Sequence, residues 1–346
     1  MPCMKAGPSL EERFEGCLLG LAVGDALGYS TEFLTLDQIR QRFGPTGIQD
    51  LQGTPARHSD DTQMSMAVAK ALIEVGDKPL DVFMSALSRE FLVWLRSPDN
   101  DRAPGNTSIK GCQSLEGEVP WTHSGIPESK GCGSNMRVAP IGLFYYDQPQ
   151  RLRQVARASA LITHGHPTAL IAAEVTAFCV AWAVQGISPQ EFLERMRSLQ
   201  QESVCSWDAD LGDIWKRSNF ESAEAYVRQG WTELLAATAR ITPCMAANSA
   251  DVCESLGGGW TAEEALACSL VCVLRHPTDF PEVVRQGANS SGDSDSIACI
   301  AGSFSGAWLG SAAIPKDWRK RVESRQALVQ LAKALLEARS RHQDSR

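Results

Sequence analysis

Small residues recur at every fourth position in two apolar segments that lie far apart in the chain. They are Gly16, Gly20, Gly24 and Gly28 in the first segment, and Ala298, Gly302, Gly306 and Gly310 in the second. A glycine inside a helix costs about 0.5–1 kcal/mol relative to alanine, so the pattern needs a contact that offsets this cost. A stripe without side chains lets another backbone approach closely. The spacing therefore predicts two central helices in tight backbone contact, with each other as the simplest pairing.

Apolar residues spaced by three and four positions predict helices over most of the chain. The segments with this spacing are 62–76, 80–96, 151–163, 168–184, 189–200, 222–239, 261–275, 296–310 and 322–340. Because strand-type alternation is nearly absent, we predict an all-α fold: a single compact many-helix domain at 13–346 after a short arm at 1–12. Residues 29–59 and 97–135 lack the pattern and are predicted to be long irregular connections.

The overall charge and the cysteines limit the function classes. The net charge of −8 offers no basic field for nucleic acid. The eleven cysteines include no C-x-x-C pair, which is typical of reduced, buried thiols in a cytoplasmic protein. The N-terminus has no signal-peptide pattern, and the apolar run "CLLGLAVG" is too short to cross a membrane and stops at Asp25. We therefore expect neither nucleic acid nor a membrane as a partner.

Two acidic segments each stand directly before an apolar helix. They contain Ser59, Asp60 and Asp61 in one place and Asp293, Asp295 and Ser296 in the other. Such residues also serve as helix caps, but a helix needs only one cap. If the small-residue helices bring the two helix starts together, the four aspartates share one pocket.

Four carboxylates cannot share a pocket without compensation. Two like charges 4 Å apart repel by about 4 kcal/mol at an effective dielectric constant near 20, so the group must take up protons or bind cations. Oxygen ligands without histidine or cysteine suit Mg²⁺, Mn²⁺ or Ca²⁺ and disfavour zinc. An EF-hand is disfavoured because Ile297 occupies the next ligand position. With this many acids, a central binuclear metal site is the better prediction.

Seven motifs together resemble the ADP-ribosylglycohydrolase family, which includes the dinitrogenase reductase-activating glycohydrolase and the ADP-ribosyl-acceptor hydrolases. In chain order they are "GCLLGLAVGDALGYSTEF", "SDDTQMSMAVAKAL", "RAPGNT", "KGCGSNMRVAPIGL", "ITHGHPTA", "GGGWTAEEALACSL" and "GDSDSIACIAGSFSGAWLG". The resemblance implies an all-α fold, two Mg²⁺ or Mn²⁺ ions and cleavage of the bond between ADP-ribose and its acceptor.

Carried over position by position, the resemblance implies a set of site residues. The metal ligands are Ser59, Asp60, Asp61, Asp293, Asp295 and Ser296. The catalytic carboxylates are Glu32, Asp61 and Asp295, with Glu32 as the base or the residue that positions water. The loop of Gly131, Cys132, Gly133 and Ser134 holds the pyrophosphate through backbone N–H groups, and His164 contacts ADP-ribose. The loop residues Asp99, Asp101 and Arg102 form a lid over the acceptor.

The function that the resemblance favours is release of ADP-ribose from modified protein side chains, with arginine as the acceptor of a bacterial-type enzyme. An alternative class is an immunity protein that binds and blocks an ADP-ribosyltransferase toxin, with or without hydrolysis. Its contacts would come from the arm and from the tail at 316–346, which carries nine basic and four acidic residues. A third interpretation, a structural relative without activity, is disfavoured by the intact acidic segments.

Overall fold

The computed structural model describes residues 7–247 and 249–343, and within them the protein is helical, with three isolated β-bridges and no strand. The helices are α1 Leu10–Gly28, α2 Leu36–Phe43, α3 Asp60–Val75, α4 Leu80–Leu95, α5 Asn106–Glu116, α6 Trp121–Ser124, α7 Ala139–Phe144, α8 Pro149–Leu161, α9 Pro167–Val184, α10 Phe192–Ser203, α11 Ile214–Arg217, α12 Ala223–Ala239, α13 Ile241–Ala247, α14 Cys253–Leu256, α15 Ala262–Arg275, α16 Phe280–Ala288, α17 Ser294–Leu309, α18 Lys316–Arg321 and α19 Arg325–Gln343. Each of the nine predicted segments corresponds to one helix, and the ends of that helix lie within three residues of the predicted ends. The all-α prediction is confirmed.

Helices α1 and α17 form an antiparallel pair at the centre of the fold. The four glycines of α1 meet α17 in reverse order, in the pairs Gly16–Gly306, Gly20–Gly302, Gly24–Ala298 and Gly28–Ser294. A methyl group on any of these four glycines would overlap backbone atoms of α17. The predicted contact between the two small-residue helices is therefore confirmed, and it places the end of α1 beside the start of α17.

Helix α9 is the apolar core helix against which much of the domain packs. It is the one helix of the described residues that is long and apolar enough to cross a membrane, but all of its residues are buried inside the protein. Its single acid, Glu174, is fully buried and accepts hydrogen bonds from Arg153 (3.0 Å) and Arg157 (2.6 Å). A buried charge held by two guanidinium groups is compensated, as the interior requires.

The two predicted irregular connections contain helices. Residues 29–59 include α2, and residues 97–135 include α5, α6 and a short 3₁₀ turn. Helix α5 has few apolar residues, yet its Ser108, Gly111 and Cys112 are buried. Tertiary packing, rather than an apolar stripe, stabilises this helix.

The predicted arm at 1–12 overlaps the start of α1. Residues 1–6 lie outside the described residues, but Leu10–Glu12 already form the first turn of α1. The hydroxyl of Ser9 accepts the Glu12 N–H, and the Glu12 carboxylate accepts the Ser9 N–H. This reciprocal cap starts α1 within the residues predicted as the arm.

The cysteines behave as predicted where they are described. Ten are free thiols, eight of them buried, and Cys3 lies outside the described residues. Thiols of this kind pack as small apolar groups.

Candidate active site

The starts of α3 and α17 meet at a cavity of about 290 Å³ beside the turn that follows α1. The acids that line it come from three separate parts of the chain: Glu32, Asp60, Asp61, Asp293 and Asp295. The expectation that the two acidic segments share one pocket is therefore confirmed. The antiparallel α1–α17 pair explains the meeting, because a side chain at Gly28 would lie only 2.5 Å from the Cα of Asp295.

Glu32 is fixed by the turn at the end of α1. Its N–H donates to the Gly28 carbonyl (2.9 Å), and the neighbouring Thr31 hydroxyl donates to the Ala288 carbonyl (2.7 Å). One carboxylate oxygen from each of Glu32, Asp293 and Asp295 lies within 4.8 Å of the others. Three acids from two chain segments thus converge on a volume the size of an ion with its ligands.

A buried acid that the sequence analysis missed holds the start of α3. Asp25, on α1, accepts the Ser59 N–H (2.8 Å) through one oxygen. Its other oxygen accepts the Thr62 N–H (2.9 Å) and the Thr62 hydroxyl (2.5 Å). Asp25 therefore positions the start of α3, which carries Asp60 and Asp61. The sequence feature that could have indicated this role is an acidic residue inside an otherwise apolar, glycine-rich helix.

Burial raises the pKa of every carboxyl group in the cavity. For Glu32, burial followed by the charges of Asp293 and Asp60 raises the pKa to about 9. For Asp60, Asp61 and Asp295 the pKa is raised well above the usual range, by burial first and then by neighbouring carboxylates. Burial raises the pKa of Asp293, and hydrogen bonds to its carboxylate oppose part of this rise. As anions, these groups need a compensating positive charge.

The donor set fits hard divalent cations. Oδ2 of Asp61 and Oε2 of Glu32 are buried, and within the described chain neither accepts a hydrogen bond. Unpaired carboxylate oxygens are costly unless they bind a cation. Mg²⁺ and Mn²⁺ prefer such oxygen ligands.

We predict that divalent cations stabilise the protein, and more so as the pH rises. Folding raises the pKa of these acids above the unfolded value, 4.5 for Glu32, so the metal-free protein loses stability as the pH rises towards the folded value of about 9. Cations that replace the protons reverse this loss. When the free cation concentration is a hundred times the dissociation constant, the free energy of unfolding rises by about 2.7 kcal/mol. Thermal unfolding with Mg²⁺ or Mn²⁺, against EDTA and against NaCl at equal ionic strength, measures the effect. Equal melting temperatures with and without divalent ions at pH 8 would contradict it.

The glycine loop borders the cavity together with the acids. Gly131, Cys132 and Gly133 line it, whereas the buried Ser134 donates its hydroxyl to the Gly131 carbonyl (3.0 Å) and shapes the loop instead. A side chain at Gly133 would lie 3.0 Å from the imidazole of His164. Glycine is therefore needed where the loop passes the histidine.

His164 also lines the cavity, as predicted for a substrate contact. It is 2% exposed, and its Nδ1 lies 2.7 Å from the hydroxyl of Thr163. Burial, aided by the charge of Arg137, keeps its pKa well below the usual value, so the imidazole is neutral. A neutral ring next to the loop suits hydrogen bonding to a substrate hydroxyl or phosphate.

The side chain of Cys132 contacts the acidic residues of the cavity. Its thiol donates to Oδ2 of Asp293 (2.7 Å), and the Ser296 hydroxyl lies 3.6 Å from its sulfur. Burial raises the pKa of this thiol well above its usual value. The side chain is thus a neutral neighbour of the predicted metal ligands.

The three predicted lid residues do not line the cavity, and their role in a lid over the acceptor stays a prediction. The buried Arg102 donates to the Glu323 carboxylate (2.5 Å) and to the His58 carbonyl (3.1 Å). Asp101 pairs with Arg57 (2.5 Å), and the Asp99 side chain is 68% exposed. Ion pairs with residues distant in the chain hold this segment, and its next residues, 103–108, line the cavity instead.

The two predicted hydroxyl ligands differ in position. Ser296 lines the cavity, whereas the fully buried Ser59 is not part of the lining. The Ser59 hydroxyl accepts the Asp61 N–H (3.3 Å) and caps α3. Metal coordination by both residues stays a prediction.

Fold and site together define an all-helical protein with a buried carboxylate cluster of the kind that holds divalent cations. The family model for ADP-ribosylglycohydrolase matches residues 6–345, so the chain belongs to this family, and the resemblance of the seven motifs is confirmed.

Similar proteins agree with this assignment. The chain is 38% identical over 165 residues to the ADP-ribosyl-[dinitrogen reductase] glycohydrolase of Rhodospirillum rubrum, covering 46% of this chain and 54% of that protein. It is 23% identical to the ADP-ribosylarginine hydrolase Tri1 of Serratia proteamaculans, covering 96% and 81%. A solved structure described as an ADP-ribosylglycohydrolase-related protein complex shares the fold, with a TM-score of 0.70 and 24% identity over 95% of this chain and 99% of that one.

Proposed function

We propose that the protein is a metal-dependent hydrolase that releases ADP-ribose from modified arginine side chains of proteins. The observation that carries the proposal is the convergence of Glu32, Asp293 and Asp295 on one point inside a cavity that a glycine loop borders. The cavity aspartates and the hydroxyl of Ser296 would hold Mg²⁺ or Mn²⁺, and the hydroxyl of Ser59, which caps α3, is the further ligand that the resemblance implies. When bound there, such ions supply Lewis-acid polarisation of hydroxyl and water oxygens.

The side chains have separate roles in this reaction. The loop at Gly131 and Gly133 binds the pyrophosphate of ADP-ribose by donating hydrogen bonds from its backbone N–H groups. The neutral His164 forms a hydrogen bond with the nucleotide half of ADP-ribose. Glu32 positions the water and receives its proton as the new bond to C1″ of the distal ribose forms. The bond from C1″ to the guanidine nitrogen breaks, and that nitrogen takes up a proton. The products are ADP-ribose and an unmodified arginine.

Two observations support arginine as the acceptor. The Tri1 relative carries arginine in its name. The cavity gathers five acids, so their full negative charge exceeds that of two divalent cations by one, and a cationic guanidinium fits this surplus better than a neutral hydroxyl.

A panel of three substrates tests the proposal. With Mg²⁺ or Mn²⁺, the protein is expected to release ADP-ribose from an arginine-linked peptide at least about tenfold faster than from serine-linked peptide or modified DNA, because only arginine offers a cation to the acidic cavity. EDTA is expected to abolish release. Free ADP-ribose is measured by chromatography. Faster release from serine would overturn the acceptor assignment. No release from any substrate would favour the alternative in which the protein only binds a toxin.

A further inference from the structure

Two exposed aromatic rings stand at the mouth of the acidic cavity. Phe33 is 66% exposed and Trp260 is 43% exposed, and both line the cavity. Their rings are stacked, with centroids 5.3 Å apart and planes 15° from parallel. Among the described residues five large hydrophobic side chains are exposed, and these two are the aromatic ones. Exposed stacked rings beside a cavity are typical of a binding surface.

The backbone holds both rings at this place. Phe33 has a φ of 65°, a left-handed conformation that a bulky residue rarely adopts. Trp260 follows Gly259, whose φ is 77°, and its carbonyl accepts the Cys132 N–H (3.1 Å). Strained backbone of this kind persists where the surrounding structure determines it, and it clusters at functional sites.

The rings adjoin the acids, and Trp260 also adjoins the glycine loop through the hydrogen bond from the Cys132 N–H. Phe33 directly follows Glu32 in the chain, and the Asp293 N–H donates to the carbonyl of Gly258 (2.8 Å), two residues before Trp260. A group bonded to a sugar at the carboxylate cluster and leading out to solvent therefore passes these rings. That group is the acceptor, because the acceptor is part of a second protein.

The chemistry of the rings selects the acceptor. Aromatic faces carry a negative potential and attract planar cations. A guanidinium group is planar, delocalised and weakly hydrated, and it stacks on aromatic faces.

We propose that Phe33 and Trp260 form an aromatic platform that stacks on the guanidinium of the modified arginine and so determines acceptor specificity. This inference rests on the proposed function. The platform positions the acceptor, while the nucleotide half is held by the glycine loop and His164.

The experiment compares an acceptor-bearing ligand with one that lacks the acceptor. Phe33→Leu and Trp260→Leu remove a ring, Trp260→Phe keeps one, and Val93→Ala alters an equally exposed residue on α4. For each variant we measure kcat/KM on an ADP-ribosyl-arginine peptide and the calorimetric dissociation constant of free ADP-ribose. The leucine variants are expected to lose about tenfold in kcat/KM with ADP-ribose binding unchanged. Trp260→Phe is expected to retain most of the activity, and Val93→Ala all of it.

Several outcomes would overturn the platform. An equal loss in ADP-ribose affinity would show that the rings bind the nucleotide, and no loss in either quantity would show that they bind neither half. If the unaltered protein hydrolyses no substrate, the proposed function fails separately. Calorimetry with the same peptide then tests the platform. The platform predicts that the peptide binds about tenfold more weakly to the leucine variants than to the unaltered protein. Failure of the unaltered protein to bind the peptide more tightly than free ADP-ribose would also overturn it.

Discussion

Asp61→Asn is expected to lower kcat/KM for ADP-ribosyl-arginine more than about 100-fold, since replacing even outer partners of metal ligands typically costs 10–100-fold. The change keeps the size of the side chain and removes its charge. Asp61 is 2% exposed, and its Oδ2 accepts no hydrogen bond within the described chain. Burial and nearby acids raise its pKa, so the metal-free protein should tolerate the neutral amide well.

The same variant separates a metal ligand from a helix cap. Without divalent ions, Asp61→Asn should melt at or above the temperature of the unaltered protein, because a repelled buried carboxyl has been removed. With Mg²⁺ or Mn²⁺, it should lose most of the stabilisation that the unaltered protein shows.

Asp81→Asn is the matched control, since Asp81 also lies in the first turn of a helix, α4, but is exposed. Asp81→Asn should leave both activity and the response to cations unchanged. If both asparagine variants behave alike, the carboxylate of Asp61 serves only its own helix, and the metal site is wrong.

Gly24→Ala is expected to destabilise the protein strongly, because it adds a methyl group to the backbone contact of the central pair. The new Cβ would overlap the carbonyl of Ala298, whose carbon would lie only 2.5 Å away. Overpacking costs about 1–3 kcal/mol and at times more. The better helix propensity of alanine returns only about 0.5–1 kcal/mol. Urea unfolding followed by circular dichroism should therefore show destabilisation of about 2 kcal/mol or more, or loss of soluble protein.

Gly117→Ala is the control for this prediction. Gly117 is exposed and has an ordinary φ of −80°. A Cβ added there would lie no closer than 3.5 Å to its nearest neighbour. Its replacement should change the stability by less than about 0.5 kcal/mol. A Gly24→Ala variant as stable as the control would mean that α1 and α17 do not pack backbone to backbone.

Much of the helical fold was predictable because its signals are local. Apolar spacing located α3, α4, α8, α9 and α17, and the small-residue stripes identified the central pair. The same reasoning missed α5, whose few apolar residues are buried by neighbouring elements rather than by an apolar stripe of its own. It also gave no start for α1, which the cap at Ser9 fixes ahead of the glycine stripe.

The site was predictable only in part. The meeting of Asp60 and Asp61 with Asp293 and Asp295 followed from the stripes, since two helices in close contact bring particular ends together. The partner of Arg102 was not predictable, because Glu323 lies 221 residues away in the chain. Asp25 was overlooked because its two hydrogen-bonded partners belong to another helix.

The sequence by itself determined the helical class, the small-residue contact and the acids available for a metal. These follow from periodicity, from backbone cost and from the chemistry of the side chains, which are properties of short segments. Only the tertiary structure decided that Asp25 holds the start of α3, that Arg102 pairs with Glu323 and that Phe33 stacks on Trp260. Each of these contacts joins residues from different elements, and the energies that fix them depend on three-dimensional distance and burial.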